Sequence, residues 1–314
     1  MTDPYLRPEI EPLFTPSHGS NIIHNSTQMG LAPVHFFSHG SPMMLCETSA
    51  SSEYWRKCGD EALVHKVKGI VIMSAHWATH GDQISVSTNP TPKINPIGFL
   101  RSHEYLSYTL TPDPTSASRI TALLTASGFN VTPNASYNWI ADVYVILMKM
   151  FPGGSPPPTT VISMNARYDP YYHLKVGSTL RELRREGYLL IGTGGAVHNL
   201  YRNRWMSMIR YGDSFAQEVP PEDWALEFRQ AVEDVLTKTR GGPGLRRAVV
   251  RLMKHPRFRD AHATDEHFMA AVFVAGAVGN VEDEGAGVGV MGAETWELSN
   301  MANSQFTLGR WEGA

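Results

Sequence analysis

From Ala32 onward, apolar runs of strand length alternate with stretches of helical character. APVHFFSHGSP is a short apolar run closed by a Gly-Ser-Pro turn, and it predicts a strand followed by a loop. VKGIVIMSAHW is β-branched with no polar alternation, the pattern of a strand buried on both faces. Between them, Tyr54 to His65 predicts a helix. SASRITALLTASGFNV predicts a helix ended by Gly128 and followed by a strand. ADVYVILMKMF is apolar throughout and suits a buried helix or a strand. PGGSPPP breaks the chain, and TTVISMN follows as a strand. HLKVGSTLRELRREG is amphipathic and ends at Gly187, and YLLIGTGG is another buried strand. PEDWALEFRQAVEDVLTKT and DEHFMAAVFVAGAVG predict two further helices. The GGPG run at 241–244 predicts a loop, and ETWELSNMANSQFTLG a final extended strand. Strands alternating with helices predict an α/β fold: a single domain with a central, mostly parallel or mixed sheet and helices on both faces. Residues 1–32 show no periodicity and predict an irregular N-terminal arm.

Composition narrows the function classes. With 314 residues, 42% of them hydrophobic, the chain can bury a full core. Twenty-seven basic residues against thirty acidic ones leave a charge of −3, which argues against a nucleic-acid partner. No apolar run approaches the roughly 20 residues of a membrane helix. Two cysteines cannot make a disulfide framework, and Cys46 is expected to be a packed thiol. MTDPYLRPEIEPLF has early acids and prolines and no apolar stretch, so a secretory signal is not expected and a cytoplasmic location is.

Thirteen histidines change the picture, because they are unevenly placed. His39 and His76 stand where predicted buried strands run out, and His198 follows the strand YLLIGTGG. His267 begins the helix DEHFMAAVFVAGA. Strand ends in open α/β sheets face the binding crevice, and neutral imidazoles meeting at one point hold Zn²⁺ or Fe²⁺. The competing reading for each is a hydrogen-bonded loop histidine. There is no HExxH or CxxC pair to decide between the two. GTGG at 192–195 lacks the GxGxxG pattern, and Ser38 and Ser41 lie in no GxSxG elbow.

Four segments in order, HGSPM, SAHW, GGAVHNL and AHATDEHF, resemble the DOPA-type extradiol dioxygenases. These are a branch of the class III, protocatechuate 4,5-dioxygenase-like ring-cleavage enzymes. NPIGF, the MFP at 150–152, DPYYHLKVG and the closing LSNM add smaller agreements, and the likeness runs from Val34 to Phe306. The resemblance implies that 33–314 is a catalytic domain with one metal, Fe²⁺ in the active enzyme and Zn²⁺ as an alternative. It implies a phenolic substrate with adjacent hydroxyls, O₂ as co-substrate, and no nucleic-acid or membrane partner. Positions matching His39, His76 and His267 hold the metal, and His198 is a further ligand or an acid/base. His173 and His262 match positions in or behind the substrate pocket, and Trp77, Phe99 and Tyr137 are candidates for its wall.

One departure stands out. The family carries an Asp-His-Gly segment before its MFP-like stretch, and counting back from Met150-Phe151-Pro152 puts its histidine on Ala141. No histidine lies between His103 and His173, so realignment cannot restore it. Either Tyr137, Asn138 or Asp142 substitutes from the same loop, or the chemistry differs, as in a specialised secondary-metabolic pathway. Two other functions stay open: a metal-dependent lyase or hydrolase using Zn²⁺ as Lewis acid, and a non-catalytic phenol binder. Retained ligand positions speak against the binder.

Overall fold

The computed structural model describes residues 31–311, apart from 99, 102, 104 and 280–288. The described strands form one mixed sheet: β1 (Val34–Ser38), β2 (Gly69–Thr79), β3 (Ile84–Ser87), β4 (Val131–Asn134), β5 (Thr159–Asn165), β6 (Tyr188–Gly194), β7 (Val290–Glu297) and β8 (Met301–Leu308). Their order is β4-β3-β5-β2-β6-β1-β8-β7. The central run β5-β2-β6-β1 is parallel throughout. β3 joins β5 antiparallel, and β8 and β7 close the other edge antiparallel. The helices are α1 (Ala50–Val64), α2 (Pro114–Ala126), α3 (Ala141–Met150), α4 (Pro170–Leu180), α5 (Met206–Tyr211), α6 (Asp223–Lys238), α7 (Pro243–Leu252), α8 (Phe258–Ala261) and α9 (Glu266–Ala277).

Successive side chains of a strand point to opposite faces, so a run apolar at every position needs a helix layer on each side. On β2, Val71, Met73 and Ala75 join the core built with α2, α4, α6, α7 and α9. Ile70 and Ile72 point the other way, into the core built with α1 and α3. The expected single α/β domain with both faces covered is what forms. Leu31 and Ala32 are already buried in it. Among the described residues no helix is long and apolar enough to cross a membrane.

α9 is buried from His267 to Ala277 and lies against β6. Its head touches the strand end because Gly194 has no side chain: a Cβ there would sit 2.1 Å from the His267 carbonyl oxygen. The same oxygen accepts a hydrogen bond from the Gly195 N–H at 3.2 Å. One glycine therefore fixes how close His267 comes to the sheet.

Several elements depart from expectation. α1 starts at Ala50, ahead of Tyr54, because Ser49 caps it: Ser49 Oγ accepts from Ser52 N at 3.2 Å and Ser52 Oγ accepts from Ser49 N at 2.9 Å. Pro243 of the expected GGPG loop opens α7, where a missing N–H costs nothing. The expected final strand is a hairpin, β7 and β8, reversed at Leu298 and Ser299 with φ of 52° and 63°. Residues of those types seldom adopt that conformation, so the local sequence gives no turn signal. Here the Leu298 N–H is held by the Ser214 carbonyl at 2.8 Å. β3, α5 and α8 are short and carry no strong periodicity. Cys46 is exposed rather than packed, whereas Cys58 is buried.

Buried histidines give the fold an acid limit. Burial, with the Arg184 charge second, pushes His35 down to about 3, and burial pushes His173 and His262 down to about 4. In the unfolded chain each titrates near ~6.5. Between those values the unfolded state binds protons that the folded state refuses, so stability falls as pH drops from about 6.5 towards 4. Each histidine contributes up to about 1.4 kcal/mol per pH unit. Urea midpoints of metal-free protein should be lower at pH 5 than at pH 7, and less so in His173→Gln. A midpoint indifferent to pH across that window would contradict the burial of these rings.

Candidate metal centre

Three chain segments bring histidines to one point beyond the carboxyl ends of the central strands. His39 follows β1 and is tied to β6 by its N–H, which donates to the Gly194 carbonyl at 3.0 Å. His76 is not past the end of its strand but inside β2. There, β2 has left β6 after Met73, and its pairing with β5 resumes only at Ala78. In that stretch the register of β2 shifts, and His76 lies within the irregular segment. His267 sits in the first turn of α9, at the contact allowed by Gly194.

His76 Nε2 lies 3.1 Å from His39 Nε2 and 3.2 Å from His267 Nε2. The ligand atoms of these three residues all lie within 4.8 Å of one another. A neutral imidazole Nε2 has one in-plane site, either a proton or a lone pair, and cannot serve two neighbours at once. A shared cation satisfies all three. Nitrogens bound at about 2.1 Å lie about 3.0 Å apart at right angles and about 3.4 Å apart in a tetrahedron. The observed spacings fall between those limits, so the residues fit a divalent metal.

Electrostatics agree. His39 and His267 are 4% and 5% exposed, whereas His76 is open to solvent. Burial first, and the neighbouring histidines second, hold His39 and His267 well below the ordinary imidazole range. Both therefore offer lone pairs at neutral pH. Glu266 Oε1 lies 3.0 Å from His267 Nδ1, which puts the ring proton on Nδ1 and leaves Nε2 free to bind. Glu266 was not anticipated, though its place beside His267 is a signal a reader could use.

His198, expected as ligand or acid/base, stands outside that trio. It stacks on the His267 ring at 3.6 Å between centroids and 11° between planes, and its centroid is 6.1 Å from His39. Burial, then His262 and His76, pushes it down to about 3. His262 runs beside His198 as a parallel bridge, with its Nε2 donating to the Ala196 carbonyl at 3.1 Å. His173 lies at the head of α4, and both its nitrogens are used: Nε2 accepts from Asn165 N at 3.2 Å and Nδ1 donates to the Asp169 carbonyl at 2.7 Å. That bonding makes it a brace between α4 and β5.

The surroundings of Ala141 separate the three candidates for its missing imidazole. Ala141 and Val145 line the hollow over His39 and His76, with Gly40, Ser41 and Pro42 opposite. Asn138 points elsewhere, its Oδ1 accepting from Lys93 N at 2.9 Å. Asp142 is buried, with Oδ2 accepting from Ser74 Oγ at 2.8 Å and Thr193 Oγ1 at 2.7 Å, so it ties α3 to β2 and β6. Tyr137 stacks on Trp77 at 3.7 Å, and its buried hydroxyl lies beside the Ser74 side chain. Burial, with Asp142 second, drives its pKa up, so it remains a proton donor. Phe99 lies outside the described residues.

The family described as the catalytic LigB subunit of aromatic ring-opening dioxygenase matches residues 33–300. The chain belongs to this family. It is 30% identical over 258 residues to the 4,5-DOPA dioxygenase extradiol of Escherichia coli K12, covering 82% of this chain and 88% of that one. It is 29% identical over 255 residues to the Beta vulgaris protein of the same name, covering 78% and 86%. It is also 30% identical over 275 residues to the dioxygenase tasH of Hapsidospora irregularis, covering 80% of each. A crystal structure of an uncharacterized Escherichia coli K12 protein superposes with a TM-score of 0.70 at 26% identity, covering 88% of this chain and all of that one. As a LigB-family member, this chain is an oxidoreductase of the extradiol dioxygenase type. Such enzymes are in general metal-dependent, and the histidine trio is where the LigB scaffold of this chain offers a site.

Proposed function

We propose that this LigB-family chain opens the ring of a catechol or related phenol beside its hydroxyls, using O₂ and a divalent metal held by His39, His76 and His267. The observation that carries the reading is the meeting of three Nε2 atoms at 3.1 and 3.2 Å. The relatives' name, 4,5-DOPA dioxygenase extradiol, points the substrate towards a catechol. Fe²⁺ in the active enzyme, with Zn²⁺ as the alternative occupant, supplies a Lewis-acidic centre, redox-active as iron, with open positions for substrate and O₂.

The chain's own groups do the rest. His39 and His267 present bare nitrogens from dry surroundings, while exposed His76 leaves the entrance side open. His198, kept neutral by burial, offers a ring nitrogen to hydrogen-bond a phenol hydroxyl of the substrate. The stacked Trp77 and Tyr137 rings form a flat wall for an aromatic ligand. His262 braces His198 from behind. Ala141 has no polar group to offer a substrate oxygen, so that contact falls to His198. The catalytic domain spans 33–314, with Leu31 and Ala32 packed into it, in a cytoplasmic protein; the rest of the expected arm lies outside the described residues.

Iron-loaded protein offered a panel of catechols should consume O₂, with a yellow ring-opened chromophore rising in step. One metal per chain with no O₂ uptake on any catechol would sink this reading.

A further inference from the structure

A buried carboxylate stands behind the His39 loop. Glu297, the last residue of β7, is fully buried. Its Oε2 accepts from the Ser41 N–H at 2.7 Å and from Asn303 Nδ2 at 2.6 Å. Its Oε1 accepts from Ser41 Oγ at 2.5 Å and from Ser214 Oγ at 2.9 Å. All four donors are neutral, so they solvate the carboxylate without cancelling its charge. The loop is pressed onto it: Gly40 has φ +66°, and a Cβ there would lie 2.5 Å from Glu297 Oε2. Only Gly40 separates His39 from the gripped Ser41.

We propose that Glu297 is a positioning residue for the metal centre. Its grip on the N–H and hydroxyl of Ser41 fixes the His39 loop, and its charge favours a divalent cation at His39, His76 and His267. The inference rests on the metal reading given above and adds to it the residue that sets affinity. The simpler role, closing the β7–β8 turn through Asn303, would change stability and leave metal affinity alone.

The test is Glu297→Gln, which removes the charge and keeps the size. Zn²⁺ affinity is measured against a chromophoric chelator, and the site geometry by the visible spectrum of the Co²⁺-loaded protein. Loss of a partner that orients a ligand costs about 10–100-fold in metal affinity, and a loss of that size with an altered Co²⁺ spectrum is expected. A folded Glu297→Gln protein that melts earlier but binds Zn²⁺ as tightly as the parent overturns the proposal. Should Glu297→Gln fail to fold, Ser41→Ala deletes one donor and spares the N–H. It should weaken Zn²⁺ binding in the same direction by a smaller factor, and unchanged affinity there also overturns the proposal. A parent chain that binds neither Zn²⁺ nor Co²⁺ overturns the metal reading itself, so the parent titration tells the two failures apart.

Discussion

Replacing His76 by alanine is expected to abolish metal binding and O₂ consumption together while leaving the fold intact. His76 Nε2 is the nitrogen common to both close contacts, at 3.1 and 3.2 Å. Without it the remaining pair cannot enclose an ion from three sides. Losing a residue that merely orients a ligand costs about 10–100-fold, so losing a ligand should cost at least about 100-fold. The side chain is exposed, so no core packing goes with it. His39→Ala should also lose metal, but with some loss of stability, because that ring is 4% exposed and leaves a void. Metal content by elemental analysis and O₂ uptake at an electrode decide the matter. A His76→Ala protein with stoichiometric metal and full turnover would refute the assignment.

Gly194→Ala is expected to be the most damaging single-methyl change near the centre. The added Cβ would lie 2.1 Å from the His267 carbonyl oxygen and 2.8 Å from Ala270 Cβ. Neither obstacle is the free end of a flexible side chain, so α9 or β6 must shift as a unit. Overpacking of this kind costs about 3 kcal/mol, the upper part of the usual range. A displaced α9 head also carries His267 away from His39 and His76, so metal should be lost beyond what instability explains. Gly153→Ala is the control, since nothing lies within 4 Å of a Cβ there. Urea midpoints and metal content of the two variants should differ sharply. A Gly194→Ala chain as stable and as fully loaded as the parent would show that this contact does not position His267.

Much of the fold was legible because its signals are local. VKGIVIM, TTVISMN and YLLIG are apolar at every position, and only a strand covered on both faces tolerates that over so short a run. All three are central strands of the sheet. The C-terminal hairpin was not legible, since its reversal rests on positive φ at Leu298 and Ser299, residues with no such preference. The histidines were legible as candidates because three follow apolar, strand-like runs and His267 opens an apolar helix. Which of them share a point was not. The sequence left His198 as either a ligand or an acid/base, and it stacks on the His267 ring instead of joining the trio. His173 looked like a pocket residue, and its two nitrogens bond to backbone groups.

The sequence alone determined the α/β class, the central strands and the histidine-bearing segments. Those properties reside in residue identity and in periodicities of two or 3.6 positions, which neighbouring residues fix. The tertiary structure decided the rest: the register shift where β2 leaves β6, the approach of α9 to Gly194, and the carboxylate of Glu297 behind Ser41. Each of these joins segments far apart in the chain, Ser41 and Glu297 being 256 residues apart. Distances between such segments are set by packing of whole layers at close density, and no local pattern encodes them.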